Sequence, residues 1–190
     1  MAHTFPDFLD KPVDEVASRL LGCVFEREID GQMVRMRIVE TEAYDQEDEA
    51  SHTFRGQTPR NATMFGKAGH LYVYFTYGMH YCCNVVTGPS GYGAGVLIRA
   101  VEPLENGEKL LEERRGMTGV QITNGPAKLC KALGVDMKMN GHDLRKRPMK
   151  LETGSLRPDE RIGMSPRIGI SKAKDIHRRF YIKDNLYVSR

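Results

Sequence analysis

CVFEREIDGQMVRMRIVETEAY, residues 23–44, is the stretch of sequence that decides the fold class. Two runs rich in apolar residues, 23–29 and 33–43, flank the dipeptide Asp30-Gly31. An Asp-Gly dipeptide between two such runs is a strong local signal for a tight turn that joins antiparallel strands. The stretch therefore predicts a β-hairpin, and with it a sheet whose neighbouring strands are mainly antiparallel.

The rest of the chain predicts helices and strands in an order without a repeating strand–helix unit. Asp10 is expected to cap the first helix, with Pro12 in its first turn. Tyr77-Gly78 divides one long apolar run into two strands. This order is typical of an α+β domain. We predict helices over 11–21, 104–115 and 126–133, strands within 71–86, 96–101, 167–170 and 180–188, and loops over 45–70 and most of 136–163.

The composition is that of an ordinary globular chain. Its 190 residues, of which 40% are hydrophobic, suffice for one compact domain, 1–190. No apolar run is long enough to cross a bilayer and the first residues lack a signal-peptide pattern, so we expect a soluble protein that is not secreted. The four cysteines, Cys23, Cys82, Cys83 and Cys130, form no CxxC pair, which favours reduced, buried thiols.

The net charge of +3 is distributed unevenly along the chain. Residues 143–190 contain 13 Lys and Arg against six Asp and Glu, whereas the preceding part of the chain is acidic. A basic final quarter suits a surface that faces phosphates, but basic residues that simply solvate a surface give the same pattern. Charge alone leaves both interpretations open.

Two glutamates interrupt the apolar face of the second strand. Because side chains alternate between the two faces of a strand, one face carries Val34, Met36, Ile38, Glu40, Glu42 and Tyr44. Burying a carboxylate without a partner is costly, so two of them on such a face indicate a function. The alternative is that the strand ends or bulges by residue 40 and that both glutamates meet water.

Arg99 is a lone cation within the apolar run 96–101. A buried arginine almost requires a carboxylate or a phosphate as its partner. Pairing with Glu42 would satisfy both side chains and would hold a carboxylate ready to polarise a water molecule. A purely structural ion pair is the alternative.

The acidic segment that follows the second strand superficially resembles a metal site. Glu47, Asp48, Glu49 and His52 are all possible ligands. The carboxylates are consecutive, however, and match neither an EF-hand loop nor an HExxH frame. We therefore predict no metal at this position.

Seven segments together resemble the alkyladenine (3-methyladenine) DNA glycosylases, also called methylpurine-DNA glycosylases. The segments are VETEAY (39–44), EDEASH (47–52), QTPRNATMF (57–65), LYVYFTYGMHYCCN (71–84), VLIRAVEPL (96–104), NGPAKLC (124–130) and PRIGIS (166–171). The resemblance extends from about Leu20 to Ser189, nearly the whole chain. It implies a single α+β domain with a curved, mainly antiparallel sheet, flanking helices and a protruding hairpin that intercalates into DNA.

The same resemblance implies a monofunctional DNA repair enzyme. Such an enzyme flips an alkylated or deaminated purine out of duplex DNA and hydrolyses its N-glycosidic bond with an activated water, leaving an abasic site. It implies damaged double-stranded DNA as the partner, no metal or organic cofactor, a monomer, and a location in the bacterial cytoplasm and nucleoid or the eukaryotic nucleus. A non-catalytic damaged-DNA-binding module and a hydrolase of free nucleosides are the alternatives from other classes.

The resemblance also implies a role for individual residues. Glu42 matches the general base of the family, and Arg99 and the main-chain carbonyl of Ile168 match the other groups that hold its water. Tyr77 matches the plug that enters the vacated space in the duplex, where an aromatic group at an exposed tip can wedge between base steps. Met64 is expected beside the lesion with this plug.

The base pocket and the DNA backbone complete the expected site. Tyr44, His52 and Tyr74 match the walls that sandwich the flipped base. Asn84 matches the asparagine that helps to exclude guanine-type bases by clashing with their exocyclic amino group. Because the final quarter of the chain is basic, we also expect phosphate contacts from some of Arg145, Arg147, Arg178 and Arg179.

Overall fold

A computed structural model describes residues 4–105 and 107–189, apart from the side chains of 113–115. The helices within these residues are α1 (Val13–Arg19), α2 (Gly107–Arg115) and α3 (Pro126–Leu133). The strands are β1 (Val24–Ile29), β2 (Gln32–Asp45), β3 (Leu71–Thr76), β4 (His80–Val86), β5 (Ala94–Pro103), β6 (Met149–Glu152), β7 (Ile162–Ser165) and β8 (Arg179–Ile182). None of the described helices is long and apolar enough to cross a membrane.

The strands form one curved sheet around the 14-residue strand β2. Its order is β3-β4-β5-β2-β1-β6, and β8 pairs with both β2 and β7. Every pairing between these strands is antiparallel, which confirms the predicted α+β class. On one edge of β2, β1 pairs with residues 32–37 and β8 replaces it at residues 40–42, while β5 follows the other edge. The middle of β2 therefore has a neighbour on both edges.

Two short turns fix the register of the hairpins. Asp30 and Gly31, between β1 and β2, have φ angles of 50° and 75°. Tyr77 and Gly78, between β3 and β4, have φ angles of 51° and 68°. Two successive residues in this left-handed region form the turn whose twist matches a two-residue hairpin. Both predicted turns are thus confirmed.

The helices cover the core with the residues that their periodicity predicts. Val13, Val16 and Ala17 of α1 are buried. Pro126 begins α3, and Gly134 ends it with a left-handed φ of 61°, as expected. The predicted cap of α1 is wrong, because Pro12 takes the capping position and no side chain caps that end.

The last third of the chain agrees with the predictions only in part. Residues 136–163 are mostly loop, as expected, and they contain strand β6, which pairs with β1. Residues 167–170 form no strand, because Ile168 donates its N–H to a side chain of β2 instead of to a neighbouring strand. The expected strand over 180–188 is shorter, since only β8 at its start pairs with the sheet.

Candidate active site

The two glutamates of β2 both lie inside the protein. Strand β2 continues through Glu40 and Glu42 to Asp45, and neither glutamate is exposed to solvent. The pairing with β5 is irregular on either side of Glu40, so the strand bulges there without ending. The alternative that both carboxylates meet water is therefore wrong, and each must be satisfied by protein groups.

Arg99 lies between the two carboxylates. Its Nε is 3.1 Å from Glu40 Oε1, and its Nη1 is 3.2 Å from Glu42 Oε1. Burial by itself lowers the pKa of Arg99, but the carboxylates of Glu42 and Glu40 outweigh this effect and raise the pKa above its usual value. The predicted Arg99–Glu42 ion pair is confirmed, although Arg99 also serves Glu40.

Glu40 is enclosed entirely by donors from the protein. Besides Arg99, its Oε1 accepts from Arg179 Nε at 2.6 Å and from Ser189 Oγ at 2.8 Å. Its Oε2 accepts from the N–H of Ser189 at 2.7 Å. This carboxylate joins β2, β5, β8 and the last described residue of the chain.

Glu42 accepts hydrogen bonds from a guanidinium, a main-chain N–H and a tyrosine hydroxyl. Arg99 Nη1 and the N–H of Ile168, at 2.8 Å, both point at Oε1. The hydroxyl of Tyr44 donates to Oε2 at 2.7 Å. Each of these donors favours the ionised form of a carboxylate. The N–H of Ile168 thus holds Glu42, and the expected contact of its carbonyl with the attacking water stays a prediction.

A cavity of about 690 Å³ is lined by all three residues that hold Glu42, namely Tyr44, Arg99 and Ile168. Its wall also includes His52, Met64, Tyr72, Tyr74, Cys82 and Asn84. Every expected base-pocket residue therefore lines one cavity, and the donors of the expected general base line it as well.

Aromatic rings form one side of this cavity. Tyr72 and Tyr74 stack with centroids 5.7 Å apart, and His52 meets Tyr74 edge-on at 4.6 Å. His52 Nδ1 is 3.2 Å from the hydroxyl of Tyr72. Partial burial and the nearby charge of Arg60 lower the pKa of His52, which keeps its ring neutral near pH 7. Tyr72 was not predicted as a pocket residue, although strand alternation places it on the same face as Tyr74.

Asn84 closes the cavity from β4. It is 4% exposed, and its side-chain nitrogen lies 3.4 Å from the main-chain oxygen of Tyr72. Tyr72 and Asn84 are partners in the β3–β4 register, so this contact spans the hairpin. An amide held in this way presents a fixed polar group to whatever fills the cavity.

A buried arginine that we did not predict supports Tyr44. Arg167 forms an ion pair with Asp48 and donates to the main-chain oxygen of Ala43 at 2.9 Å. Its guanidinium lies 4.6 Å from the centre of the Tyr44 ring, within range of a cation–π contact. The segment PRIGIS contains Arg167, but nothing in its spacing indicated this role.

The acidic segment considered as a metal site has other partners. Asp48 is bound by Arg167, and Glu49 lies 3.9 Å from Lys172. Within the described part of the chain, no group of three His, Cys, Asp or Glu side chains could hold a metal ion.

Comparisons with known protein sequences identify the family of the chain. The sequence model of the family described as methylpurine-DNA glycosylase matches residues 7–186. The chain belongs to this family. It is 47% identical to a protein of Carboxydothermus hydrogenoformans over 96% of both chains, and 45% identical to one of Methanoculleus marisnigri over 96% of both. A relative from Francisella tularensis is 42% identical over 93% of both. All three carry the provisional name 3-methyladenine DNA glycosylase.

In this methylpurine-DNA glycosylase family member, the two residues expected at the intercalation site differ in exposure. Tyr77 is 81% exposed at the tip of the β3–β4 hairpin. Met64 is only 2% exposed and lies in a short helical turn against Tyr72 and Val86. Both residues line the cavity, and their contacts with DNA stay a prediction.

Two of the four arginines expected on phosphates are committed to internal ion pairs. Arg178 Nη2 is 3.0 Å from both Asp14 and Asp45, and Arg179 binds Glu40. Both side chains are largely buried. Their carboxylate partners neutralise them, which disfavours a contact with phosphate, and contacts from either of them to DNA stay a prediction.

The other two arginines are exposed but lie away from the hairpin tip. Arg145 forms an ion pair with Asp143. The backbone of Asp143 forms an isolated β-bridge with His70, just before β3. Arg147 pairs with Glu28. Tyr77 follows the far end of β3, about 20 Å away along an extended strand. Contacts from Arg145 and Arg147 to DNA stay a prediction.

Proposed function

We propose that this protein hydrolyses the N-glycosidic bond of a damaged purine in duplex DNA. Its substrates are alkylated or deaminated purines of the 3-methyladenine, 7-methylguanine and hypoxanthine class, and its product is an abasic site. One observation carries the proposal: a buried carboxylate is held by three donors that themselves line a cavity with aromatic walls. Family membership supports the same conclusion.

The cavity suits a base that has left the helix. A purine inside duplex DNA is stacked on both sides, so its glycosidic bond is exposed only after extrusion, which costs roughly a few kcal/mol. Stacking of a base on aromatic side chains contributes roughly 1–3 kcal/mol and offsets part of that cost. Tyr44 and Tyr74 offer such faces, and Asn84 would meet an exocyclic amino group on a guanine-type base.

Glu42 acts as the general base. As the bond between C1′ and the purine nitrogen breaks, its electron pair leaves with the base and the sugar gains oxocarbenium character. The oxygen of a water molecule bonds to C1′, and one proton of that water passes to Glu42. Alkylation at N3 or N7 makes the purine cationic, so such a base leaves without a proton from the enzyme.

Tyr77 is the group that fills the space left by the base. The turn holds this tyrosine in a left-handed conformation with 81% of its surface exposed. Phe75 and Met79 are exposed on the same hairpin, so the tip carries a group of apolar side chains, which is typical of a surface that binds a partner. An apolar wedge between base steps gives it that partner and stabilises the extruded nucleotide.

Cations near the mouth of the cavity supply the phosphate contacts. Arg55 and Lys172 line the cavity, and Arg60 lies beside the hairpin with its Nη2 3.4 Å from the oxygen of Phe75. Neither Arg55 nor Arg60 forms an ion pair with the residues that the structure describes. Basic side chains without carboxylate partners release counterions when they meet the DNA backbone, which favours binding.

A release assay tests the proposal directly. The protein is incubated with a duplex that contains one 7-methylguanine or one hypoxanthine, and the free base is separated from the DNA. The undamaged duplex and the corresponding free nucleoside are the matched controls. We expect free base from the damaged duplexes only. Binding without release would indicate a non-catalytic module, and hydrolysis of the free nucleoside would indicate a nucleoside hydrolase.

A further inference from the structure

The hydroxyl of Tyr44 is directed at the carboxylate rather than at the cavity. It donates to Glu42 Oε2 at 2.7 Å. The hydroxyls of the two other pocket tyrosines have different partners, since Tyr72 contacts His52 and Tyr74 contacts Cys82. A residue that served only as a flat wall for a base would not need this bond.

The two oxygens of Glu42 are not equivalent. Oε1 already has two donors, Arg99 Nη1 and the N–H of Ile168. A carboxylate oxygen accepts about two strong hydrogen bonds, so Oε1 has no room for a water. Oε2 has one donor, the Tyr44 hydroxyl, and therefore one free acceptor position. The proton from water must reach Oε2.

We propose that the Tyr44 hydroxyl is a positioning group that holds the Glu42 carboxylate and turns its Oε2 towards the attacking water. The inference rests on the proposed function. It gives Tyr44 two tasks, because its ring stacks on the base while its hydroxyl holds the group that activates water. A base that fills the cavity thereby presses on the same side chain that orients the general base.

The surroundings of Tyr44 fix its hydroxyl in advance. The Arg167 guanidinium lies 4.6 Å from the centre of the ring and is itself anchored on Asp48 and on the oxygen of Ala43. Burial, followed by the neighbouring Glu42 carboxylate, raises the pKa of Tyr44 far above its usual range. The hydroxyl therefore stays protonated and remains a donor throughout the pH range of an assay.

None of the other charged and titratable groups described below near Glu42 duplicates the contact of the Tyr44 hydroxyl with Oε2. Arg99 faces Glu42 from β5, and its charge is shared with Glu40. Glu40 is in turn neutralised by Arg179 from β8. Burial raises the pKa of the Cys82 thiol on β4 to about 11, so that group is neutral. Across the cavity lies His52, whose pKa is lowered and whose ring touches Tyr74 rather than Tyr44.

The test compares the pH dependence of base release in Tyr44→Phe and Tyr74→Phe. Each variant removes one oxygen and keeps the ring. Single-turnover release of 7-methylguanine is measured from acid to neutral pH, because this cationic base needs no proton to leave. Loss of a hydrogen bond to an ionised carboxylate makes the carboxylate easier to protonate. We therefore expect the acidic limb of Tyr44→Phe to move up by about one pH unit.

Tyr74→Phe is the matched control, and the acidic limb should stay where it is in the wild type. If His52 controlled that limb, Tyr72→Phe, which removes the hydroxyl 3.2 Å from His52 Nδ1, would move it and Tyr44→Phe would not, and the proposal would be overturned. An unchanged limb in Tyr44→Phe together with weaker binding of the damaged duplex would also overturn it, since the hydroxyl would then serve the base. A wild-type protein that released no base at any pH would refute the proposed function instead. Thermal melting of each variant verifies that it is folded.

Discussion

Glu40 and Glu42 are two residues apart on one strand, are equally buried and share one arginine, yet they face different surroundings. Among the described residues, the other donors to Glu40 are Arg179 and Ser189, neither of which lines the cavity. The donors to Glu42 come from groups that line the cavity. Burial and residue type therefore do not distinguish a structural carboxylate from a reactive one. The position of its partners does.

Neighbouring segments supply different donors to the two glutamates. β8 pairs with β2 only from Glu40 to Glu42; Arg179 is opposite Glu42 in this register, but its side chain binds Glu40. On the opposite edge, β5 supplies Arg99, which reaches both carboxylates. Ile168 comes from a segment that does not join the sheet; it donates its N–H to Glu42 and lines the cavity.

The largest effect is expected from Glu42→Gln. The substitution keeps the shape of the side chain but removes the proton acceptor, and general-base catalysis typically contributes about 10²–10⁴ in rate. We expect single-turnover release of 7-methylguanine to fall by at least that factor, with binding of the damaged duplex largely kept. Titration of the duplex alongside the release assay checks both. Wild-type release by Glu42→Gln would remove Glu42 from the mechanism.

Glu40→Gln should affect the fold more than the chemistry. It leaves Arg99 and Arg179 buried with one carboxylate fewer, and breaking a buried ion pair typically costs about 3–5 kcal/mol. The amide keeps part of the hydrogen bonding, so we expect the free energy of unfolding to fall by about 3 kcal/mol. For a domain of this size that lowers the melting temperature by about 6–12 °C. Calorimetry measures the shift.

Base release by Glu40→Gln, assayed well below its melting range, should exceed that of Glu42→Gln. The two variants have the same change of charge two residues apart, so each is the control for the other. If Glu40→Gln abolished release while Glu42→Gln retained it, the assignment of structural and reactive carboxylates would be reversed.

The sequence was most informative where the relevant interactions are local, or where two opposite charges in apolar strands each need a partner. Asp30-Gly31 and Tyr77-Gly78 form turns through their own backbone preferences, so both hairpins could be predicted. Glu42 and Arg99 are 57 positions apart in the numbering, but each is a charge in an apolar strand and each needs the other. Their ion pair could therefore be predicted without a structure.

The basic final quarter shows what the sequence could not provide. A count of charges does not reveal which arginines are buried, because their partners lie far away along the chain. Arg178 binds Asp14, and Arg179 binds Glu40. The segment 167–170 looked like a strand because it is apolar, but the buried Arg167 ties it to Asp48. Such contacts depend on tertiary packing rather than on local periodicity.

The smallest effect, and the sharpest check of the structural assignment of Glu40, is expected from Ser189→Ala. The Ser189 hydroxyl donates to Glu40 Oε1 at 2.8 Å and accepts from Arg99 Nη2 at 3.3 Å. Its N–H still donates to Glu40 Oε2 in the variant. A single lost hydrogen bond to charged groups typically costs about 1.5–3 kcal/mol. Because Glu40 and Arg99 keep their other partners, we expect the lower value and a melting temperature about 3–6 °C below the wild type.

Ser189→Ala should leave the acidic limb and the plateau of base release close to those of the wild type, because Arg99 Nη1 still holds Glu42. Ser90→Ala, at an exposed serine, is the matched control and should change neither the melting temperature nor release. If the rate of base release fell with no change in melting temperature, the contacts of Arg99 with Glu40 and Ser189 would affect how Arg99 holds Glu42. The distinction between a structural Glu40 and a reactive Glu42 would then fail, since removing a donor that binds Glu40 outside the cavity would have changed the rate of base release.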